Sequence, residues 1–503
     1  MGDKRSFLAS ARLIGAATLL SRILGMARDV LASHYFGAGA VWDAFQLAYR
    51  VPNLFRRLFG EGALTAAFVP AFVERLETGR RAEAELLFRR LTTALTLLLV
   101  ALTIVGVAVT WILPGDPQSQ RVAEYARIML PYLPLVCVTA ILGGALNGLR
   151  HFFAPAIAPV LMNVVLIGAI LATARASREE AGRWQSWAVT AGGGVQLLIV
   201  VAALASKGIR PLPEFSLGDP ALREVGGRFA PMVLGLSLVQ VNEFMNSLIA
   251  QLCVPGAGAV SALSYSNLLV QLPLSLIGTS VATAVFPAMS SAVAGKRGGE
   301  FADLTRRALG STLFLSVPAT AGLIVFAAPI VRVIYEHGRF GPEDTARTAT
   351  ALICYAGSLW CYCANLVQVR AFYALGDTRT PVRVSVAMIA LGLALNLTLV
   401  WPLREAGIAL GTSISGLCSF VTLQILLRRR SPELGGGAVL GAAVRALAGS
   451  GVMAVAAYPV WLYLPSPEGL PGRGVRLGAA VAVALAVYFG AARLMRRREG
   501  GTS

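Results

Sequence analysis

Charge is scarce in this sequence. Asp, Glu, Lys and Arg make up 14% of the 503 residues, where a soluble domain carries roughly 25%. Acidic residues are the scarcer sign, 26 Asp and Glu against 44 Lys and Arg, for a net charge of +18. Histidine is nearly absent, with three residues. The six cysteines (Cys137, Cys253, Cys354, Cys361, Cys363 and Cys418) all lie in or beside apolar segments, none at zinc-ligand spacing. No metal site and no cofactor are therefore expected. No basic stretch is interleaved with stacking aromatics, which argues against a nucleic-acid partner despite the net charge. No phosphate-binding loop of Walker type is present, so nucleotide hydrolysis is not implied.

What is present is apolar sequence: 56% of residues are hydrophobic. Runs of the roughly 20 residues needed to cross a bilayer recur from end to end. A helix satisfies its own backbone hydrogen bonds, so each run can span as one. About fourteen spans are expected, near 7–33, 41–64, 86–113, 122–149, 155–174, 184–205, 226–252, 258–291, 303–328, 345–374, 382–402, 407–427, 438–464 and 474–495. With the N-terminus inside, the inner connections and nearby helix ends hold about 25 basic residues and the outer ones about 10. Arg75, Arg80, Arg81, Lys296, Arg297, Arg428, Arg429 and Arg430 are among the inner set. Both termini are thus expected on the cytoplasmic side. The first apolar stretch runs through Ser21 and Arg22 without a small-residue cleavage site, so a cleaved signal peptide is not expected.

A weak internal repeat runs through the chain. Gly37-Ala38-Gly39-Ala40-Val41 recurs as Gly256-Ala257-Gly258-Ala259-Val260, with a proline about fifteen residues on in each copy, Pro52 and Pro273. A glycine-loop-proline connection also repeats, Gly148 to Pro155 and Gly376 to Pro381. The copies fall on the second and eighth spans, which implies two six-helix lobes, 1–217 and 218–432, and two further helices over 433–503. Transporters are often built from repeats with the site between them.

Charge within a span costs roughly 2.5–3.5 kcal/mol on insertion scales and calls for a purpose. The first span carries Arg22, Arg28 and Asp29 around Gly25. Arg22 and Asp29 are seven apart, on one face two turns apart, and Gly25 weakens the helix between them. The second span adds Asp43, Arg50, Arg56, Arg57 and Glu61. Asp43, Arg50 and Arg57 repeat at seven, Glu61 follows Arg57 at four, and Pro52 interrupts the helical ladder. Such a helix must face water, ligand or other charges. Arginine's planar fork suits a phosphate, so a phosphorylated head group is the expected ligand.

Several runs on the same segments resemble the lipid II flippase family (MurJ, also called MviN): Ser21-Arg22-Ile23-Leu24-Gly25-Met26-Ala27-Arg28-Asp29, Phe36-Gly37-Ala38-Gly39, Asp43-Ala44-Phe45, Pro52 through Ala63, Ala67-Phe68-Val69-Pro70 and Arg370 through Pro381. The family belongs to the superfamily of multidrug and oligosaccharidyl-lipid exporters. The resemblance implies an all-α, V-shaped transporter in the bacterial inner membrane, with two six-helix lobes around a cationic cavity and a polyprenyl-tail groove on the last two helices. It implies cavity residues at Arg22, Arg28, Asp29, Asp43, Arg56 and Glu61, and lipid II as cargo moved by alternating access. It also implies contact with membrane lipids and cell-wall synthesis proteins, a monomeric state, and no enzymatic step.

The second lobe departs from the family pattern. A Tyr-x-Asp-Arg-x-x-Glu/Gln-x-Pro run is expected on the eighth helix, but here Asn267 and Leu268 replace the acid and the arginine within Tyr265–Pro273. The seventh helix carries Gln240, Glu243, Ser247 and Gln251 at helical spacing. Glu243 reads as a proton or cation site, or as a partner for a first-lobe arginine. Asn163 and Asn396 are single amides in apolar helices and read as structural; Arg332–Phe340 reads as a solvated outer connection or a gate. The alternatives are an exporter of another polyprenyl-linked glycan or of a drug, a polyprenyl-phosphate transferase, and a non-transporting lipid-binding homologue. A drug exporter calls for acidic cavities, and a transferase for clustered carboxylates, which no loop has.

Overall fold

A computed structural model of the chain describes residues 2–60, 63–112, 115–216, 220–435, 437–465 and 469–500. Every regular element among them is helical. The chain packs as two compact units, Met1–Phe244 and Met245–Ser503. The division expected at 217/218 falls on residues outside those described.

The first unit contains α1 (Gly2–Phe36), α2 (Ala40–Gly60), α3 (Ala63–Glu77), α4 (Arg81–Thr110), α5 (Pro117–Met129), α6 (Tyr132–Gly148), α7 (Phe153–Ala172), α8 (Arg178–Ser206) and most of α9 (Pro220–Cys253). Gly37 lets the chain leave α1, at φ 66°, a conformation that a Cβ disfavours. Asp116 starts α5 by accepting from the Ser119 N–H at 2.9 Å, with Pro117 at the first helical position. That bond holds the Asp116 carboxyl below its ordinary pKa. Close helix packing rests on small residues. On α8 a Cβ at Gly182 would overlap Tyr125, and one at Gly193 would overlap Tyr132, so these glycines admit the two rings.

The second unit holds the end of α9, α10 (Ala259–Pro273), a π-helical stretch Leu274–Thr279, α11 (Ser280–Ala294), α12 (Gly298–Val325), α13 (Ala327–Tyr335), α14 (Pro342–Ala356) and α15 (Leu359–Ala374). They are followed by α16 (Arg379–Arg430), a 3-10 turn Pro432–Leu434, α17 (Gly437–Tyr463) and α18 (Leu470–Gly500). The 52 residues of α16 would make a rod of roughly 78 Å, far longer than the ~30 Å apolar core of a bilayer. Instead it folds back at Arg404, whose φ is 52°. Across the hairpin Ser415 donates to the Met388 carbonyl at 2.6 Å. Gly407 and Gly411 lie so close to Leu399 and Asn396 that no side chain fits. The two arms are the two spans expected at 382–402 and 407–427.

Ten helical stretches among the described residues are long and apolar enough to cross a membrane. With α16 counted as two arms and the charge-bearing α1, α2 and α9 added, the count reaches the expected fourteen. Large apolar side chains such as Ile104, Leu198 and Val455 are more than 60% exposed, as helices that meet lipid require. The last two helices dock on the second unit through Phe326, Met453, Ala457, Ala480, Ala484 and Tyr488, and the Tyr488 hydroxyl donates to the Phe314 carbonyl at 2.5 Å. Outside that core, Arg473 of α18 reaches Glu336 at 3.3 Å.

Candidate substrate cavity

A cavity of about 530 Å³ opens inside the first unit, within the size range of small-molecule sites. Ser21 and Arg28 of α1, Tyr49 and Arg56 of α2, and Tyr132, Thr139 and Asn147 of α6 line it, together with Asn163 of α7 and Gln196 of α8. Two arginines therefore share one chamber whose remaining polar groups are neutral.

The α1 side chain in the cavity is held from two directions. Arg28 Nε and Nη2 donate to Asp29 Oδ1 at 3.0 and 2.8 Å, and Nη1 donates to Asn163 Oδ1 at 3.2 Å. Ser21 and Arg28, seven apart, are the α1 residues on the cavity wall. Arg22 and Asp29, the pair expected on one face, lie elsewhere: Arg22 is exposed outside this wall, and Asp29 acts on it through Arg28. The one-position difference in register is the difference between facing the cavity and facing away from it.

On α2, Arg56 Nε donates to Asn53 Oδ1 at 2.9 Å, one turn back and beside Pro52, which has no N–H to give the helix. Asp43 is buried in the first turn of α2, away from this wall. Glu61 lies outside the described residues. The stripe at spacing seven points elsewhere: Arg57 Nη1 reaches Glu243 Oε2 at 3.3 Å and Gln240 Oε1 at 3.1 Å, and Arg50 Nη1 reaches the Glu243 carbonyl at 3.4 Å. Glu243 thus sits as an ion-pair partner of a first-lobe arginine.

In the second unit, Asn267 and Leu268 are half-buried on α10, one turn from buried Tyr265. Tyr265 packs on Tyr335 and Phe340, with ring centroids 4.7 and 5.7 Å apart. The connection Arg332–Phe340 is therefore anchored by buried rings and is not simply solvated. Asn396 Nδ2 donates to Asn246 Oδ1 at 2.8 Å, and Thr412 lies against both amides.

Sequence reasoning singled out Arg28 and Arg56 but not Tyr49, Tyr132, Thr139, Asn147 or Gln196. Asn163 was visible only as a lone amide in an apolar helix, which calls for a bonded partner.

A helical bundle repeated in two units, with a cationic cavity in one of them, has the architecture of a membrane transporter. A family profile described as "Lipid II flippase MurJ" matches residues 32–468. A "Probable lipid II flippase MurJ" of Rhizobium meliloti (strain 1021) is 36% identical, covering 95% of this chain and 92% of that protein. A "Lipid II flippase MurJ" of Burkholderia cenocepacia is 31% identical over 83% of each. The chain belongs to the lipid II flippase MurJ family. A solved structure described as "Lipid II flippase MurJ, inward closed conformation" shares the fold with TM-score 0.81 and 23% identity, over 97% of this chain and 99% of that one. An inward-facing multidrug MATE transporter of the MOP superfamily follows at TM-score 0.67 and 16% identity, over 82% of this chain and 95% of that one.

Proposed function

We propose that this protein moves lipid II across the bacterial inner membrane, from the cytoplasmic to the outer leaflet, by alternating access. The observation that carries the reading is the pair Arg28 and Arg56 in one cavity of a chain that belongs to this family. Arginine is the side chain best suited to a pyrophosphate, and the neutral amides and hydroxyls beside the two suit a sugar. The polyprenyl tail stays in lipid and runs along α17 and α18. Arg22, Asp29, Asp43 and Glu61 belong to the same substrate machinery. Negative charge moving outward is favoured by an inside-negative potential, by about 2.3 kcal/mol per charge per 100 mV. The protein acts as a monomeric carrier with no chemical step and both termini in the cytoplasm, and cell-wall synthesis proteins are its partners outside.

Asn267 and Leu268 favour one second reading, a homologue that binds lipid without transport. Reconstituted protein should move labelled lipid II between leaflets in preference to other polyprenyl-linked glycans. Binding without movement would leave the non-transporting reading, and preference for another glycan would replace the cargo. A periplasm-dependent reporter fused after Ser503 should be inactive; an active one overturns the topology.

A further inference from the structure

The side chain that sets Arg28 belongs to another helix. Asn163 is the single amide of α7 and is 8% exposed. Its two ends bind different partners. Oδ1 accepts from Arg28 Nη1 at 3.2 Å, while Nδ2 donates to the Ser21 carbonyl at 3.1 Å and the Pro159 carbonyl at 3.2 Å. The orientation of the amide follows from the chemistry. A guanidinium has donors only and a backbone carbonyl accepts only, so the reversed amide would oppose like groups on both sides.

These contacts straddle the weak point of α1. Ser21 lies four residues before Gly25 and Arg28 three after it, and the Asn163 amide faces Gly25 directly, 3.9 Å from where a Cβ would stand. One side chain therefore fastens α1 on both sides of the glycine and fixes one nitrogen of the cation while Asp29 holds the opposite edge.

We infer that Asn163 is a positioning residue for head-group recognition: it aims the Arg28 guanidinium into the cavity and is needed for tight binding of the pyrophosphate. The inference rests on the transport reading above. Asn163 touches the cavity wall and acts on the anion through Arg28. Its neutral carbonyl orients the cation without cancelling its charge, which a carboxylate at the same place would do.

The test uses the full-length protein in lipid nanodiscs, with lipid II and sugar-free polyprenyl pyrophosphate as probes. Asn163→Leu should weaken both by about tenfold, the loss of one charge-assisted hydrogen bond of ~1.4 kcal/mol. In flipping assays the apparent KM should rise with little change in kcat. Asn163→Asp should bind more weakly than Asn163→Leu, because its carboxylate competes with the phosphate for Arg28. A merely structural role predicts losses that persist without Arg28, since both variants give up the amide's bonds to the Ser21 and Pro159 carbonyls. In an Arg28→Ala background both substitutions should lose their effect on binding, as residues acting through one another do in a double-mutant cycle. Should the leucine variant fold poorly, the aspartate variant with and without Arg28 carries the same comparison. Wild-type affinity in Asn163→Leu, the reverse order of the two variants, or unchanged losses without Arg28 would each overturn the inference while transport stands. If the wild-type protein binds neither probe, the transport reading fails and the inference with it.

Discussion

The two halves of the chain, α1 through α8 and α9 through α16, follow one helical order and fill it differently. In the first, α1 meets α7 through Arg28 and Asn163; in the second, α9 meets the first arm of α16 through Asn246 and Asn396. The match extends to an arginine–glutamate pair on corresponding helices, Arg121–Glu179 at 2.7 Å and Arg347–Glu405 at 2.5 Å. It extends also to the glycine after the opening helix, Gly37 and Gly256, both at positive φ. The scaffold contacts are thus shared by both halves, while the cavity lined by Arg28 and Arg56 belongs to the first. An amide can satisfy another amide inside an apolar bundle at little cost. A guanidinium needs a counter-charge and a polar cavity, and the first unit supplies both in Asp29 and the chamber around it.

Removing the charge from the first unit should have the largest effect. Arg28→Ala and Arg56→Ala are each expected to lower lipid II transport by about 100-fold, from ~3 kcal/mol of truncated charge-assisted contact. Both variants should still reach the membrane. Lysine should rescue poorly for want of a two-pronged donor. Complementation of a flippase-depleted strain and flipping in vesicles measure this, and full activity in both alanine variants would remove the cationic cavity from the mechanism.

Adding charge to the second unit comes next. Leu268→Arg alone should destabilise the protein by roughly 2.5–3.5 kcal/mol, the cost of an unpaired cation within a span. Combined with Asn267→Asp it should recover, because adjacent Arg28 and Asp29 already show that such neighbours bond through the guanidinium edge. Thermal unfolding of both single variants and the double variant decides. A gain in stability and activity from Leu268→Arg alone would mean that the position is merely vacant.

A milder loss is expected from Asn396→Leu, about 1 kcal/mol of stability with transport per folded molecule retained. Loss of transport at normal stability would show that the second-unit amides do more than hold helices together. Smallest is Asp377→Ala, in the connection before α16. Asp377 accepts from the Thr380 N–H at 2.9 Å and faces Arg430 at 3.2 Å. The Thr380 bonds, with Arg430 a lesser cause, hold its carboxyl below the ordinary value. A lowered carboxylate stabilises the fold above its ordinary pKa and loses that contribution as pH falls through the lowered one. The substitution should therefore cost about 1 kcal/mol at neutral pH, and the gap to wild type should close in strong acid. A constant gap across pH would assign the effect to packing.

The sequence by itself determined the membrane class, the fourteen spans and the duplication. These follow from composition, from the length of apolar runs and from repeated glycine and proline positions, all local in the chain. It also pointed to α1 and α2 as the charged helices, because charge in an apolar run stands out without reference to neighbours. Which of those charges share a chamber was decided by tertiary structure. Arg28 faces the cavity and Arg22 does not, a difference of helix rotation that a spacing of seven leaves open. Arg57 turned out to meet Glu243 across 186 residues of sequence, and Asn163 to hold Arg28 across 135. Such pairings depend on which helices become neighbours and at what height. The packing of small residues against rings, as at Gly182 and Gly193, is among the tertiary contacts that set both.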